Sequence, residues 1–263
     1  MSLQSPERTP PRALLAYCRG GFEAETGAEL AALAQERGFA GRLEAGVGSA
    51  WLLYRIEGGK RALRLPELAE LVFARQLLAI FGHDADLPPG NRVAPLAGMA
   101  MQAGTRFADV WIESADTNDG KALSTLCRGL AAPLKKALLD AGILNPDAPR
   151  LPRLHVFMAS GREAWLGLAW PGQACDWPMG IPRLRMPRDA PSRSTLKLAE
   201  ALLTLLTEEE RARLLKPGMR AVDLGAAPGG WSWQLASRGL HVTALDNGRL
   251  APEVLATGRC PAP

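Results

Sequence analysis

The residues best suited to chemistry are Asp223-Leu-Gly-Ala-Ala-Pro-Gly-Gly-Trp231, followed by an acid at Asp246. Residues 219–224 read as a short apolar strand, 225–230 as a glycine-rich turn and 231–237 as a helix. Gly239 follows as its cap, and 240–245 reads as a second strand. Glycines let the backbone of such a turn approach a ligand at the C-terminal end of the strand, and an acid closing the next strand can accept hydrogen bonds from ribose hydroxyls. Asp246 lies 21 positions after Gly225, close to the ~20 that this arrangement needs. The turn departs from the GxGxxG of pyrophosphate sites, with Ala227 in the second glycine position and Pro228 beside it. A nicotinamide dinucleotide is therefore the weaker reading. S-Adenosylmethionine has a ribose, an adenine and an amino-acid end but no phosphate, so it needs close backbone approach and the ribose acid more than an anion nest. A purely structural turn is the plain alternative, and strand, turn, helix, strand and acid in register weigh against it.

Upstream, residues 180–197 read GIPRLRMPRDAPSRSTLK and hold Arg183, Arg185, Arg188, Arg193 and Lys197 against one acid, Asp189. The prolines prevent a continuous helix, so the cations sit on an irregular segment leading into a helix at 198–206. Such a segment suits phosphate contact or a solvated connector equally well. Across all 263 residues, 31 Lys and Arg stand against 27 Asp and Glu, and a net charge of +4 is weak evidence for a polyanionic partner. With 47% hydrophobic and 22% charged residues the composition is that of a globular protein.

Other residue types exclude more than they suggest. Cys18, Cys127, Cys175 and Cys260 are scattered without a CxxC pair, which fits free thiols in a reducing cytoplasm and no metal site. His155 and His241 fall in expected strands and read as structural, and His83 falls in a loop. Trp231 and Trp233 are expected to pack the crossover helix rather than stack on bases. The Pro-rich, charged start is no signal peptide, and no run approaches the ~20 apolar residues of a membrane span. The expected location is the cytoplasm, without a membrane partner.

The elements around these residues suggest an α/β chain with an α+β N-terminal part. Residues 13–18 read as a buried strand and an Ala- and Glu-rich helix runs to about residue 37, with Gly38 at its cap. Strands at 43–47 and 50–56, a short helix at 66–70 and a strand at 72–81 complete the β-α-β-β-α-β order of a ferredoxin-like unit. After a linker at 86–92, a second unit has a strand at 108–114, a helix at 121–141 with leucines at 123, 126, 130, 134 and 138, and a hairpin of strands 155–159 and 164–169.

The loop DLGAAPGGW resembles motif I of the ribose 2′-O-methyltransferases related to FtsJ. MGIPRLRMPRDAPSRSTLKLAEA and ALDNG are more specific and resemble the ribosomal RNA large subunit methyltransferase M family. The likeness also takes in Cys18-Arg-Gly-Gly-Phe22, Phe73-Ala-Arg-Gln76 and Ala115-Asp-Thr-Asn118, and so extends over essentially the whole chain. It implies a ferredoxin-like unit at 12–82, a THUMP-like RNA-binding domain at 92–172 and an FtsJ-like, Rossmann-like methyltransferase domain beginning at 180 and running to 263. It further implies S-adenosylmethionine as cofactor and 23S rRNA as partner, methylated on a cytidine 2′-hydroxyl. Ser194, Ala227, Pro228, Gly229 and Gly230 would contact the cofactor, and Asp246 its ribose. Ala227 replaces a cysteine common in the family, at a contact made mainly by backbone. Lys197 matches the first lysine of the family's Lys-Asp-Lys-Glu tetrad. A ribose hydroxyl is a poor nucleophile, and a lysine of lowered pKa can orient it and take its proton.

Seventeen residues follow Asp246, so the rest of the tetrad and the fourth strand of the doubly wound sheet would lie past Pro263. The expectation is a truncated copy or fragment lacking part of the active site. A non-catalytic RNA-binding module that keeps only the N-terminal domains is the competing reading, and a nicotinamide-dependent oxidoreductase ranks last.

Overall fold

The structure is a computed structural model that describes residues 11–59 and 65–260. The chain divides into two compact units, 1–181 and 182–263.

The first unit is built on one seven-stranded sheet. Its strands are β1 (Ala13–Cys18), β2 (Phe39–Ala45), β3 (Trp51–Gly59), β4 (Ala74–Asp84), β5 (Asp109–Ser114), β6 (Arg153–Met158) and β7 (Ala164–Ala169), in the order β2-β3-β1-β4-β7-β6-β5. Only β5 and β6 pair in parallel. The long β4 carries both halves, pairing with β1 through Ala74 to Ile80 and with β7 through Ala79 to Asp84, and its register slips between Ile80 and Gly82.

The sheet curls at that point. The Trp51 and Phe157 rings lie 5.0 Å apart, although β3 and β6 are four strands apart in the sheet, which a flat sheet would separate by ~19 Å. Gly167 permits the curl, because a Cβ there would come within 2.8 Å of Ile80 Cδ1. The facing halves close over a shared core that includes Leu15, Tyr17, Leu53, Phe157 and Trp165.

Helices cover the outer faces. Helix α1 (Glu23–Glu36) buries Gly27, Leu30 and Ala34 at helical spacing, and Gly38 at φ 75° turns the chain out of it. Helix α4 (Ser124–Asp140) buries Cys127, Leu130, Leu134 and Leu138, each leucine contributing roughly 1.5–3 kcal/mol. Buried polar groups tie the halves together. Glu113 Oε2 accepts from Tyr17 Oη at 3.1 Å and pairs with His155 Nδ1 at 2.8 Å, and Oε1 accepts from the Met179 amide at 2.5 Å.

Several expectations need correction. The helix at 66–70 is only a 3₁₀ turn, Leu68–Glu70, and β2 starts at Phe39 instead of 43. The strand at 72–81 is displaced to Ala74–Asp84, which puts His83 on a strand and not in a loop. The long helix at 121–141 is two, α3 (Asn118–Ala122) and α4, because Thr117 caps the earlier start through the Gly120 amide. Helix α2 (Val93–Met101) was not anticipated. Its Pro95 sits in the first turn, where the missing N–H costs no hydrogen bond.

The second unit has helices α5 (Ser194–Thr204), α6 (Glu208–Leu214), α7 (Gly230–Ala236) and α8 (Pro252–Leu255), and strands β8 (Arg220–Leu224) and β9 (His241–Leu245). The two strands pair in parallel across α7. One face of the pair is buried in a cluster with Ala236, Val242, Ala244 and Val254. The other exposes Val222, Leu224 and Leu245. Helix α6 was not anticipated, although Thr207 and Glu210 form a reciprocal capping box at its start. Helix α5 begins four residues before the expected start, since no proline lies between Pro191 and the end of the helix at Thr204, and this places Ser194 and Lys197 on a helix.

Candidate functional site

Strand β8 ends in the turn, and Gly225 bends it at φ 76°, a conformation that costs glycine little. A Cβ added to Gly225 would meet nothing within 4 Å, so the turn is open there. Gly229, at φ 107°, and Gly230 act differently. A Cβ on Gly229 would lie 2.4 Å from Val254 Cγ2, and one on Gly230 would lie 2.0 Å from Ser194 Oγ, 2.5 Å from Ser192 Oγ and 2.9 Å from the Thr195 amide nitrogen. The bare backbone of Gly230 is what allows the start of α5 to reach the turn.

Asp246 closes β9 and is bound into this arrangement. Its Oδ2 accepts from the Ala227 amide at 2.8 Å and its Oδ1 from the Gly248 amide at 2.7 Å. These two hydrogen bonds, Gly248 first and then Ala227, hold its carboxyl below the usual aspartate value of 3.8. An ionised, exposed carboxylate with about four lone-pair sites keeps acceptor capacity for hydroxyl donors. Asp223, two residues before the turn, is buried and accepts from Ser232 Oγ at 2.7 Å, pinning α7 to β8. The Pro228 carbonyl accepts from the Ala251 amide at 2.9 Å, which ties the far side of the turn to the approach to α8.

Of the residues singled out by sequence, the structure brings Ser194 against Gly230 and Asp246 against Ala227. Lys197 stands exposed one helical turn beyond Ser194. Three neighbours were missed. Ser192 Oγ lies 2.6 Å from Ser194 Oγ, the buried Thr195 donates to the Gly230 carbonyl at 3.1 Å, and the Gly248 amide holds Asp246. Only the last had a local signal, the Asp-Asn-Gly sequence of an Asx turn. Trp231 is 47% exposed, contrary to the expectation that it packs the helix. Trp233 does pack against the cluster around Val242 and Val254.

Arg185, Arg188, Arg193 and Lys197 are exposed along the segment that leads into the site, as is Arg183. Among the described residues no cluster of three or more metal-ligating side chains occurs, and no helix is long and apolar enough to cross a membrane.

Residues 12–78 match the RlmM ferredoxin-like domain, 91–170 the N-terminal model of ribosomal RNA large subunit methyltransferase M, and 190–256 the FtsJ-like methyltransferase model. Ribosomal RNA large subunit methyltransferase M of Azoarcus sp. (strain BH72) is 49% identical over 93% of this chain and 68% of its own length. The chain belongs to the ribosomal RNA large subunit methyltransferase M family. Another member, from Xanthomonas campestris pv. campestris (strain B100), is 48% identical over 93% of this chain and 71% of its own length. The solved structure of TrmN from Thermus thermophilus aligns with a TM-score of 0.42 at 21% identity, over 94% of this chain and 68% of that one. Membership in the large subunit methyltransferase M family makes this an rRNA methyltransferase chain of mixed α/β fold. In this family member the first βαβ unit of the FtsJ-like region carries the glycine turn, and the start of α5 lies against it.

Proposed function

We propose that the turn from Gly225 to Gly230, with Ser194 and Asp246, binds S-adenosylmethionine, and that the reaction served is methylation of a cytidine 2′-hydroxyl in 23S rRNA. The observation that carries the reading is the Asp246 carboxylate, held ionised by the Ala227 and Gly248 amides beside a turn that is open over Gly225. The residues present fit the cofactor: backbone approaches without side chains in the way, and the acid at the end of β9 is matched to a ribose. S-Adenosylmethionine, when bound, supplies an electrophilic methyl group on its sulfonium. Asp246 accepts from the ribose hydroxyls of the cofactor and fixes its position. The Ser194 hydroxyl, paired with Ser192, offers a polar contact at the mouth of the turn. Lys197, the match to the first lysine of the tetrad, orients the substrate hydroxyl, and the second lysine of the tetrad is the principal proton acceptor. Positioning accounts for much of the acceleration of such a transfer.

Residues 12–82 and 92–172 are assigned as the ferredoxin-like and THUMP-like parts that hold RNA, and 180–263 as the cofactor-binding part. The exposed arginines at 183–193 support phosphate contact at the entry to the last of these. They equally favour a second reading, in which the chain binds RNA without catalysis.

Because the chain spans about two thirds of the length of its relatives, cofactor binding and methyl transfer are measured separately. In a protein that carries this chain together with the rest of the tetrad, incubation with methyl-labelled S-adenosylmethionine and 23S rRNA, followed by nuclease digestion, should yield 2′-O-methylcytidine. Lys197→Met should abolish the product while cofactor binding persists. Label on a base contradicts the reaction, and RNA binding without cofactor binding leaves only the second reading.

A further inference from the structure

Within the first unit, α3 and α4 bury Cys127, Leu130, Leu134 and Leu138 on the inner side and leave the outer side to solvent. Between Asp119 and Asp140 these helices carry no acid. Lys121, Arg128 and Lys135 are exposed at seven-residue spacing, which sets them in a row along one side of a helix at ~10.5 Å intervals. Leu123, at the joint of α3 and α4, has φ −80° and ψ −9°, in the right-handed region, so the row runs on across it. Lys136 is taken up by Asp140 at 2.5 Å. Among the described residues none of the three cations in the row forms an ion pair. Arg128 leans only on its own helix, its Nε donating to the Ser124 carbonyl at 3.3 Å and its Nη2 to Thr125 Oγ1 at 3.4 Å.

Beside this row α4 breaks the ordinary preferences of a helix twice. Gly129 and Pro133 both lie in its interior, where each weakens a helix, and both are exposed. Packing does not ask for the glycine, because a Cβ there would meet nothing within 4 Å. Pro133 has no N–H, so the carbonyl of Gly129 is left without the donor that the fourth residue along would supply. The outer side of α4 therefore presents a backbone acceptor next to three cations. Departures from local preference of this kind are expected where a surface is used.

We propose that the outer side of α4 docks on the backbone of an RNA duplex, with Lys121, Arg128 and Lys135 on phosphates and the Gly129 carbonyl accepting from a ribose 2′-hydroxyl. Double-stranded RNA is recognised mostly by its shape and by contacts to phosphates and 2′-hydroxyls across the shallow minor groove. Unpaired bases need aromatic platforms, and residues 118–140 contain no aromatic side chain. The 2′-hydroxyl is also the group that separates RNA from DNA, and a carbonyl can accept from it where DNA offers no donor. The inference rests on the RNA-binding reading of the N-terminal part and adds to it the surface, the form of the RNA and the means of rejecting DNA.

The test measures binding of the full chain to a short RNA duplex, to the DNA duplex of the same sequence and to 23S rRNA, by fluorescence anisotropy over a series of salt concentrations. Combining Lys121→Gln, Arg128→Gln and Lys135→Gln should lower the slope of log affinity for the RNA duplex against log salt by about 2.7, since each phosphate contact accounts for ~0.9. The wild type should bind the RNA duplex about fivefold more tightly than the DNA duplex, the size of one net hydrogen bond. Pro133→Ala returns an N–H to the Gly129 carbonyl and strengthens the helix, so it should raise the melting temperature of the first unit and abolish that preference. An unchanged slope in the triple variant overturns the proposal. Equal wild-type affinity for the two duplexes, or a preference that survives Pro133→Ala, overturns it as well. Each of these results leaves the RNA-binding reading intact, whereas failure to bind either the RNA duplex or 23S rRNA overturns both.

Discussion

The two units spend their sequence differently. In residues 11–181 the curled sheet is covered on its outer faces and filled between its halves, and one of its buried acids, Glu113, is used up in holding strands together. In residues 182–260 the sheet has two strands, one face of which exposes Val222, Leu224 and Leu245, and its exposed acid, Asp246, is fixed by backbone amides with acceptor capacity to spare. A carboxylate saturated inside a core contributes order, and one held at an open turn is available to a ligand. Substitutions in the first unit should therefore register as stability, and those in the second as binding.

The largest effect is expected at Glu113. Replacing it with Leu leaves the Tyr17 hydroxyl, His155 Nδ1 and the Met179 amide without their acceptor, at a cost of ~3–5 kcal/mol in urea unfolding. A loss below ~1 kcal/mol would mean that water replaces the carboxylate and that the halves are not locked by it. Next comes Gly230→Ala. Its Cβ would sit 2.9 Å from the Thr195 amide nitrogen, a backbone atom that cannot swing aside. S-Adenosylmethionine binding should fall by more than tenfold, while the unfolding of the first unit is unchanged; tenfold is ~1.4 kcal/mol. Asp246→Asn should weaken the same binding about tenfold, because an amide NH₂ then faces an amide donor that the carboxylate had accepted. Unaltered affinity would remove Asp246 from the site.

The smallest effects are in pH, and their signs differ between the units. Burial, followed by the charge of Glu113, raises the Tyr17 hydroxyl well above the ordinary 10.0. Its stabilisation is whole below that value and is lost as pH rises toward the folded pKa, so the first unit should weaken in alkali. The lowered pKa of Asp246 acts in the opposite sense. Its contribution is present above 3.8 and fades as pH falls through the lower folded value. The Ala227 and Gly248 amide resonances should move together in that acid range. Independent movement would show that they do not share one carboxylate.

What could be read from sequence follows the same division. The turn was legible because its requirements are local: glycines where φ is positive, an apolar run on either side, and an acid about 20 residues on. Leu130, Leu134 and Leu138 were legible because helical spacing marks a buried stripe. The curl of the sheet was not, since it depends on Gly167 opposite Ile80 and on the register slip in β4, contacts between residues far apart in the chain. The place of His83 on the end of β4 was lost for the same reason. In the site, Thr195 and Ser192 went unnoticed because only the tertiary approach of α5 to Gly230 gives them a role. Lys197 was found through family resemblance, and its exposed position one turn past Ser194 carries no mark of its own.

The central claim is that the turn and its acid form a cofactor site, and backbone amide NMR of the chain during titration with S-adenosylmethionine tests it most directly. Saturable shifts confined to the amides of Ser194, Gly225 to Ala227, Gly229, Gly230 and Asp246 to Gly248, with a midpoint about tenfold higher in Asp246→Asn, are the predicted result. Shifts centred elsewhere, or none at these amides at saturating cofactor, would contradict it.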